Sequence, residues 1–263
     1  MSSTGARRTS YRWTVLGAGV VAQASFSGIF FGMPAIAPAI RSHYSLSLTQ
    51  VGVVLAAVSV GLAATLLVWG IVADRIGERT VLAAGLTGCA GALVGAAYTS
   101  SFAQLVLALV AAGALGGGTQ TASGRAVMTW FGAEERGLAL GIRQTAVPLG
   151  GGIAAVVLPA LTRHVSVDAA FFALAGGCFA AAVVGAVVLR TEPWRGQDAD
   201  EARPLRDPRI WRLCLGSTFY VTTQISLVGF LVLFLHDARG VSTTAAAAAT
   251  ALRRYSGSAS CSR

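Results

Sequence analysis

The chain has 263 residues, 54% of them hydrophobic and 12% charged, with a mean hydropathy of +0.67 and a formal net charge of +9. Soluble domains carry roughly twice that share of charge, and several apolar runs exceed the ~20 residues that cross a bilayer, which excludes a soluble core. Nucleic-acid binding is excluded by position: all 20 basic residues are arginine, and they gather in alternate links between apolar runs, as membrane topology requires.

Residues 1–12 carry Arg7, Arg8 and Arg12 ahead of a long apolar run. That run is too long for a signal-peptide core and leads straight into further spans, so it reads as an uncleaved first span over about residues 13–40. Pro34 and Pro38 predict a kink or an end near its far side, and Gly28 and Gly32 have the spacing of a close helix contact. Ser47 or Thr49 is placed to cap a second span over about 48–69. The third span, about 80–98, carries Gly91 and Gly95 at the same packing spacing. An uncharged link at 99–101 leads to a fourth span, about 102–131. A link with Glu134, Glu135 and Arg136 precedes the fifth, about 138–161, which contains Pro148. Arg163, His164 and Asp168 mark the turn into a sixth span ending near Leu189. Residues 190–209 are the longest polar stretch, with Pro193, Pro204 and Pro208, and read as a connector. A seventh span follows over about 210–235, then an incomplete eighth to 252. The fold class expected is all-α, a polytopic membrane helix bundle.

Arginine placement sets the expected orientation. Arg7, Arg8, Arg12, Arg75, Arg79, Arg136, Arg190, Arg195, Arg203, Arg206, Arg209 and Arg212 lie on one side of the alternating spans, against Arg41, Arg163 and Arg239 on the other. That bias puts the N-terminus and the central connector in the cytoplasm. Trp13, Trp69, Trp130 and Trp211 fall at the same ends and predict an interfacial aromatic belt. Cys89, Cys178 and Cys214 sit inside apolar runs without metal-ligand spacing and read as small apolar residues.

Between the second and third spans lies Gly70-Ile71-Val72-Ala73-Asp74-Arg75-Ile76-Gly77-Glu78-Arg79-Thr80-Val81-Leu82. It reads as a short charged loop. Gly70 and Gly77 permit a turn, and Asp74 and Arg75 stand where a helix should end. The stretch resembles the signature G-x-L-x-D-R-x-G-R-R/K-x-x-L of the major facilitator superfamily. Gly70, Asp74, Arg75, Gly77, Arg79 and Leu82 match; Val72 replaces the leucine, and Glu78 replaces a basic residue. The segments Gly124-Arg125-Ala126-Val127, Arg136-Gly137-Leu138 through Gln144-Thr145 and Pro148-Leu149-Gly150-Gly151 look like bacterial carriers of that superfamily, among which are carriers for cyanate, nitrate-type anions and organic acids.

The resemblance implies a six-span half of a twelve-span carrier over 13–189, working by alternating access around a midplane site. It also implies a bacterial cytoplasmic membrane as the location, a small solute as the substrate, no cofactor, no enzymatic chemistry, and a gating role for Gly70, Asp74, Arg75, Gly77 and Arg79. The superfamily's drug antiporters carry G-P-x-x-G-G in span five. Here Pro148, Gly151 and Gly152 match but Val147 replaces the first glycine, so proton-coupled drug efflux is the second reading.

Two arginines enter spans. Arg125 and Arg143 are expected ~8–9 Å inside the boundary at 1.5 Å per residue. A charge at that depth is costly unless it faces a wet cavity or a partner. Lining a cavity that attracts an anionic solute is one reading; snorkelling, or pairing with Glu134 and Glu135, is the other. Gln23, Gln120 and Gln144 are candidate solute contacts, with helix-to-helix hydrogen bonding as their alternative use. No acid lies deep in a span, so no proton site is expected in this half.

After the run 241–252, Arg253 to Arg263 is polar and low in complexity. Twelve residues make ~18 Å of helix against a ~30 Å core. We read 253–263 as an aberrant tail on a truncated product that lacks its C-terminal half, with a nonfunctional or regulatory membrane fragment as the competing reading.

Overall fold

A computed structural model describes residues 3–189 and 208–239, with side chains over 11–189 and 208–223. The described residues fall into two units, one holding the first eight helices and the other the ninth. The first helix, α1, runs Ser3–Gly32, gives way to a 3-10 turn at Met33–Ile36, and resumes as α2, Ala37–His43. Pro34 and Pro38 cause this, because neither supplies a backbone N–H to a continuing ladder. The remaining helices of this unit are α3 Leu48–Ile76, α4 Glu78–Ala97, α5 Phe102–Gly116, α6 Gly118–Trp130, α7 Ala133–His164 and α8 Val167–Val188. Among the described residues, six segments are long and apolar enough to cross a membrane: Tyr11–His43, Leu48–Ile76, Glu78–Ala97, Phe102–Trp130, Ala133–His164 and Val167–Val188. The second unit contributes α9, Pro208–Arg239, a single 32-residue helix where the seventh span was expected. The connector at 190–207, the incomplete eighth span and the polar tail lie outside the described residues.

Capping residues place the helix starts. Ser47 accepts from the Gln50 backbone N–H while its own N–H donates to the Gln50 side chain at 2.9 Å, a complete capping box on α3. Ser101 and Ser166 accept in the same way at α5 and α8. Substituting Ser47→Ala should cost about 1 kcal/mol of bundle stability, read as a lowered unfolding midpoint in detergent; an unchanged midpoint would show that packing alone sets the start of α3.

Within the first unit α1 packs on α7, α3 on α5 and α4 on α8. In span order these pairs are first with fifth, second with fourth and third with sixth. Exchanging the first three spans for the last three maps that set onto itself, as expected of an inverted three-span repeat. The core between these pairs is apolar, with Phe26, Ile29, Leu82, Leu86, Leu93, Leu105, Leu109 and Phe171 fully buried. Apolar side chains also cover the outside: Leu66, Leu67, Val68 and Ile71 on α3 and Ile153, Val156 and Val157 on α7 are exposed.

Close approach between paired helices depends on glycine. A Cβ on Gly61 would overlap the Val110 carbonyl, one on Gly113 the Val58 carbonyl, and one on Gly150 the Ala24 carbonyl. Gly32 also meets its neighbours, Leu158 and Ala154 of α7. Gly91 and Gly95 do not: both are exposed, with open space around the position of a Cβ. The spacing alone could not say which face of α4 turns inward, and it is the Leu82, Leu86, Leu93 face that does. The fourth span is also not one helix. It breaks at Gly117, where Gln120 N–H reaches back three residues to the Gly117 carbonyl at 3.2 Å.

Candidate functional site

The signature stretch is two helix ends with a one-residue link, not a loop. Gly70 lies inside α3, and the turn is made at Gly77 alone, whose φ of 81° is the left-handed region that favours glycine. This brings Asp74, in the last turn of α3, close to Glu78, the first residue of α4. Arg125 of α6 reaches both: its Nη1 donates to Asp74 Oδ1, and its Nε lies 3.5 Å from Glu78 Oε1. The two carboxylates differ in setting. The Asp74 side chain is 60% exposed and that of Glu78 only 7%. One guanidinium therefore ties together the ends of three spans, and the residue that departs from the family signature, Glu78, is the buried member.

The same end carries a second set of contacts. Arg12 of α1 forms a two-pronged ion pair with Glu135 of α7, at 2.5 and 3.1 Å, and its guanidinium lies over the Trp13 and Phe131 rings. Tyr11 donates to the Val188 carbonyl and stacks edge-on against Trp130. The expected pairing of the span arginines with Glu134 and Glu135 is thus replaced: Glu135 is held by Arg12, and Arg125 turns to the α3–α4 link. Trp69 departs from the belt reading. It is half-buried, and its indole N–H donates to the Ala114 carbonyl of α5 at 2.6 Å.

Arg143 occupies a different environment. It lies ten residues past the start of α7, about 15 Å along the helix. Arg143 is 7% exposed. Its Nε donates to Ser123 Oγ at 3.0 Å, and its Nη2 lies 2.9 Å from Gln23 Oε1, 3.2 Å from the Gln120 carbonyl and 3.3 Å from Gln120 Oε1. Ser123 Oγ in turn donates a hydrogen bond to the Thr119 carbonyl. Gln23 is 12 residues from the Tyr11 end of its span, and Gln120 ten from the Trp130 end. Three helices thus independently place the cluster ~15–18 Å from the signature end, roughly 6–8 Å to that side of the span midpoints at 1.5 Å per residue.

The cluster's charge is uncompensated. Every partner of Arg143 is neutral, and among the described residues it forms no ion pair. Of the candidate solute contacts, Gln23 and Gln120 meet Arg143; Gln144, its neighbour along α7, is exposed and stands apart from the cluster. Arg125 stands with the signature residues. Arg75 and Arg79 are exposed. Ser123 and Thr119 were not singled out in the sequence, where nothing distinguishes a buried serine in an apolar helix from any other.

Known proteins support the assignment. The sequence profile of the Major Facilitator Superfamily matches residues 15–253. An uncharacterized MFS-type transporter of Mycobacterium tuberculosis, found in two strains, is 30% identical over 240 residues that cover 89% of this chain and 54% of the relative. The chain therefore spans about half the length of the curated relatives it matches. Among solved structures, a bacterial homolog to the human lysosomal transporter Spinster, inward-facing and occupied, superimposes with a TM-score of 0.69 at 20% identity, over 90% of this chain and 57% of that one. A peptide transporter, POT, solved in complex with sulfate, gives a TM-score of 0.60 at 13% identity, over 83% of this chain and 49% of that one. Together with six membrane-length helices, the inverted pairing of spans and the D-R-x-G link, these matches show that the chain is an integral membrane protein belonging to the Major Facilitator Superfamily.

Proposed function

We propose that this chain supplies the first bundle of a secondary carrier that moves a small anionic solute across the bacterial cytoplasmic membrane by alternating access, with its N-terminus and connector in the cytoplasm. Arg143 is the observation that carries the reading. A cation buried within the spans by neutral groups alone is expensive, and a solute that brings the missing negative charge removes the expense. Gln23 of the first span and Gln120 and Ser123 of the fourth orient the guanidinium. Arg125 belongs with Asp74 and Glu78 in a latch at the cytoplasmic end, where it ties α3, α4 and α6 while that end is closed or held as a unit. A complete carrier needs a second bundle to form the opposite wall of the cavity.

The test is uptake. Vesicles from bacteria expressing this chain, with and without a co-expressed second bundle, are assayed with labelled small anions and with neutral and cationic solutes of matched size. Anion uptake should fall at least tenfold in Arg143→Met at equal membrane abundance. Uptake of neutral or cationic solutes with no anion transport, or anion uptake indifferent to Arg143, would remove the reading.

A further inference from the structure

We infer that the Arg143 cluster is built for a monovalent, planar oxyanion, taken end-on by the guanidinium, with Gln120 as the group it displaces and Gln23 as the group that sets the charge it must bring. This rests on the anionic-solute reading above and narrows it.

Charge is the first argument. The cluster holds one formal positive charge. Arg125, the other arginine expected inside a span, is engaged by two carboxylates. A monoanion therefore neutralises the cluster, whereas a dianion would leave a net negative charge in a low-dielectric interior, where an uncompensated ion is strongly disfavoured.

The geometry of the fork is the second. A guanidinium offers five N–H groups in one plane. Its side edge, Nε and Nη2, carries the two shortest contacts, Ser123 Oγ at 3.0 Å to Nε and Gln23 Oε1 at 2.9 Å to Nη2. Its end edge, Nη1 and Nη2, is engaged only at Nη2, where the Gln120 carbonyl at 3.2 Å and Gln120 Oε1 at 3.3 Å are the longer contacts. Nη1 donates to no acceptor among the described residues. The end edge is therefore the weakly held one, and two parallel N–H groups there match two oxygens of a carboxylate or nitrate. When such an oxyanion displaces Gln120 Oε1, rotation of that amide turns its NH2 toward the ligand, so Gln120 changes from acceptor to donor.

A third observation is independent of the arginine. Thr119 Oγ1, one turn from Ser123 on the same face of α6, is fully buried and has no hydrogen-bond partner among the described residues. An unmatched hydroxyl so placed is a further donor for an oxygen-rich ligand.

The purified full chain in detergent is titrated with acetate, nitrate, chloride and sulfate at fixed ionic strength, and its thermal unfolding midpoint is followed. Acetate and nitrate should raise the midpoint saturably, with apparent Kd at least tenfold below those of chloride and sulfate; which of the two binds tighter tells an organic carboxylate site from an inorganic one. Gln23→Glu sets a carboxylate beside Nη2 and should abolish the anion-dependent rise while raising the ligand-free midpoint. Arg143→Lys keeps the charge but loses the fork, and should reduce the preference for acetate and nitrate over chloride to under threefold. No saturable rise with either planar anion, a sulfate response equal to theirs, or an undiminished response in Gln23→Glu or Arg143→Lys would overturn the inference. Binding is read here without transport, so planar-anion binding without uptake sinks the carrier reading alone, and Arg143-dependent uptake of dianions sinks this inference alone.

Discussion

Replacing Gly113 with valine is expected to take apart the α3–α5 pair. The two helices are in contact backbone to backbone: a Cβ on Gly113 would overlap the Val58 carbonyl, and one on Gly61 the Val110 carbonyl. Neither obstacle is a side chain that can rotate away, so the helices must separate. Separation strips contacts from a seam that includes the fully buried Val54, Leu105 and Leu109, and dispersion attraction falls steeply over fractions of an ångström. Overpacking usually costs 1–3 kcal/mol; against backbone on both sides we expect about 3 kcal/mol or more. Gly91→Val is the control. That glycine shares the small-residue spacing but faces open space, and the change should stay within about 0.5 kcal/mol. Thermal unfolding of both variants in detergent decides the matter: equal midpoints would mean that the close approach of α3 and α5 carries no stability.

The second large effect is expected at Arg125, and magnitudes separate its two ion pairs. Asp74 is mostly exposed, so its pair is worth at most about 1 kcal/mol. Glu78 is buried, and Arg125→Met strands it; breaking a buried pair from one side costs about 3–5 kcal/mol, because the remaining charge is left uncompensated. The cost should therefore be largely recovered in the double variant Arg125→Met with Glu78→Gln, which removes the stranded charge. Asp74→Asn should leave stability nearly unchanged and instead impair transport in a complete carrier, since it loosens the exposed arm of the latch. A double-mutant cycle on Arg125 and Glu78, with Asp74→Asn alongside, measures all three terms. A coupling energy near zero would show that Arg125 and Glu78 are neighbours without being partners.

Much of the architecture was legible in the chain. The number and order of the first six spans follow from apolar run lengths set against bilayer thickness, and the break after Gly32 from two prolines. The start of α3 follows from a cap at Ser47, one of the two candidates the chain offers with Thr49, and the family from the D-R-x-G link. These are local properties: each depends on a few neighbouring residues or on a length, and no distant part of the chain can reverse them. The errors share the opposite cause. Gly91 and Gly95 have the spacing of a packing motif, yet helix rotation is set by which face finds a partner, and α4 turned another face inward. Trp69 has the composition of an interfacial anchor, yet its ring fills the space left by Gly117 and Gly118 and its N–H finds a carbonyl on another span.

The candidate site divides along the same line. The chain by itself determined that two arginines enter the membrane spans and that each needs a partner or a wet cavity, because a charge at such depth is costly without one. Only the tertiary structure decided their partners. Asp74 and Glu78 are 51 and 47 residues from Arg125 in the chain, and Gln23 is 120 from Arg143. Such distances are closed by the packing of whole helices, whose rotation and depth emerge from the summed fit of many apolar side chains. That packing gave one arginine two carboxylates and left the other with neutral amides and a hydroxyl, so two residues of the same type became a latch and a candidate anion site.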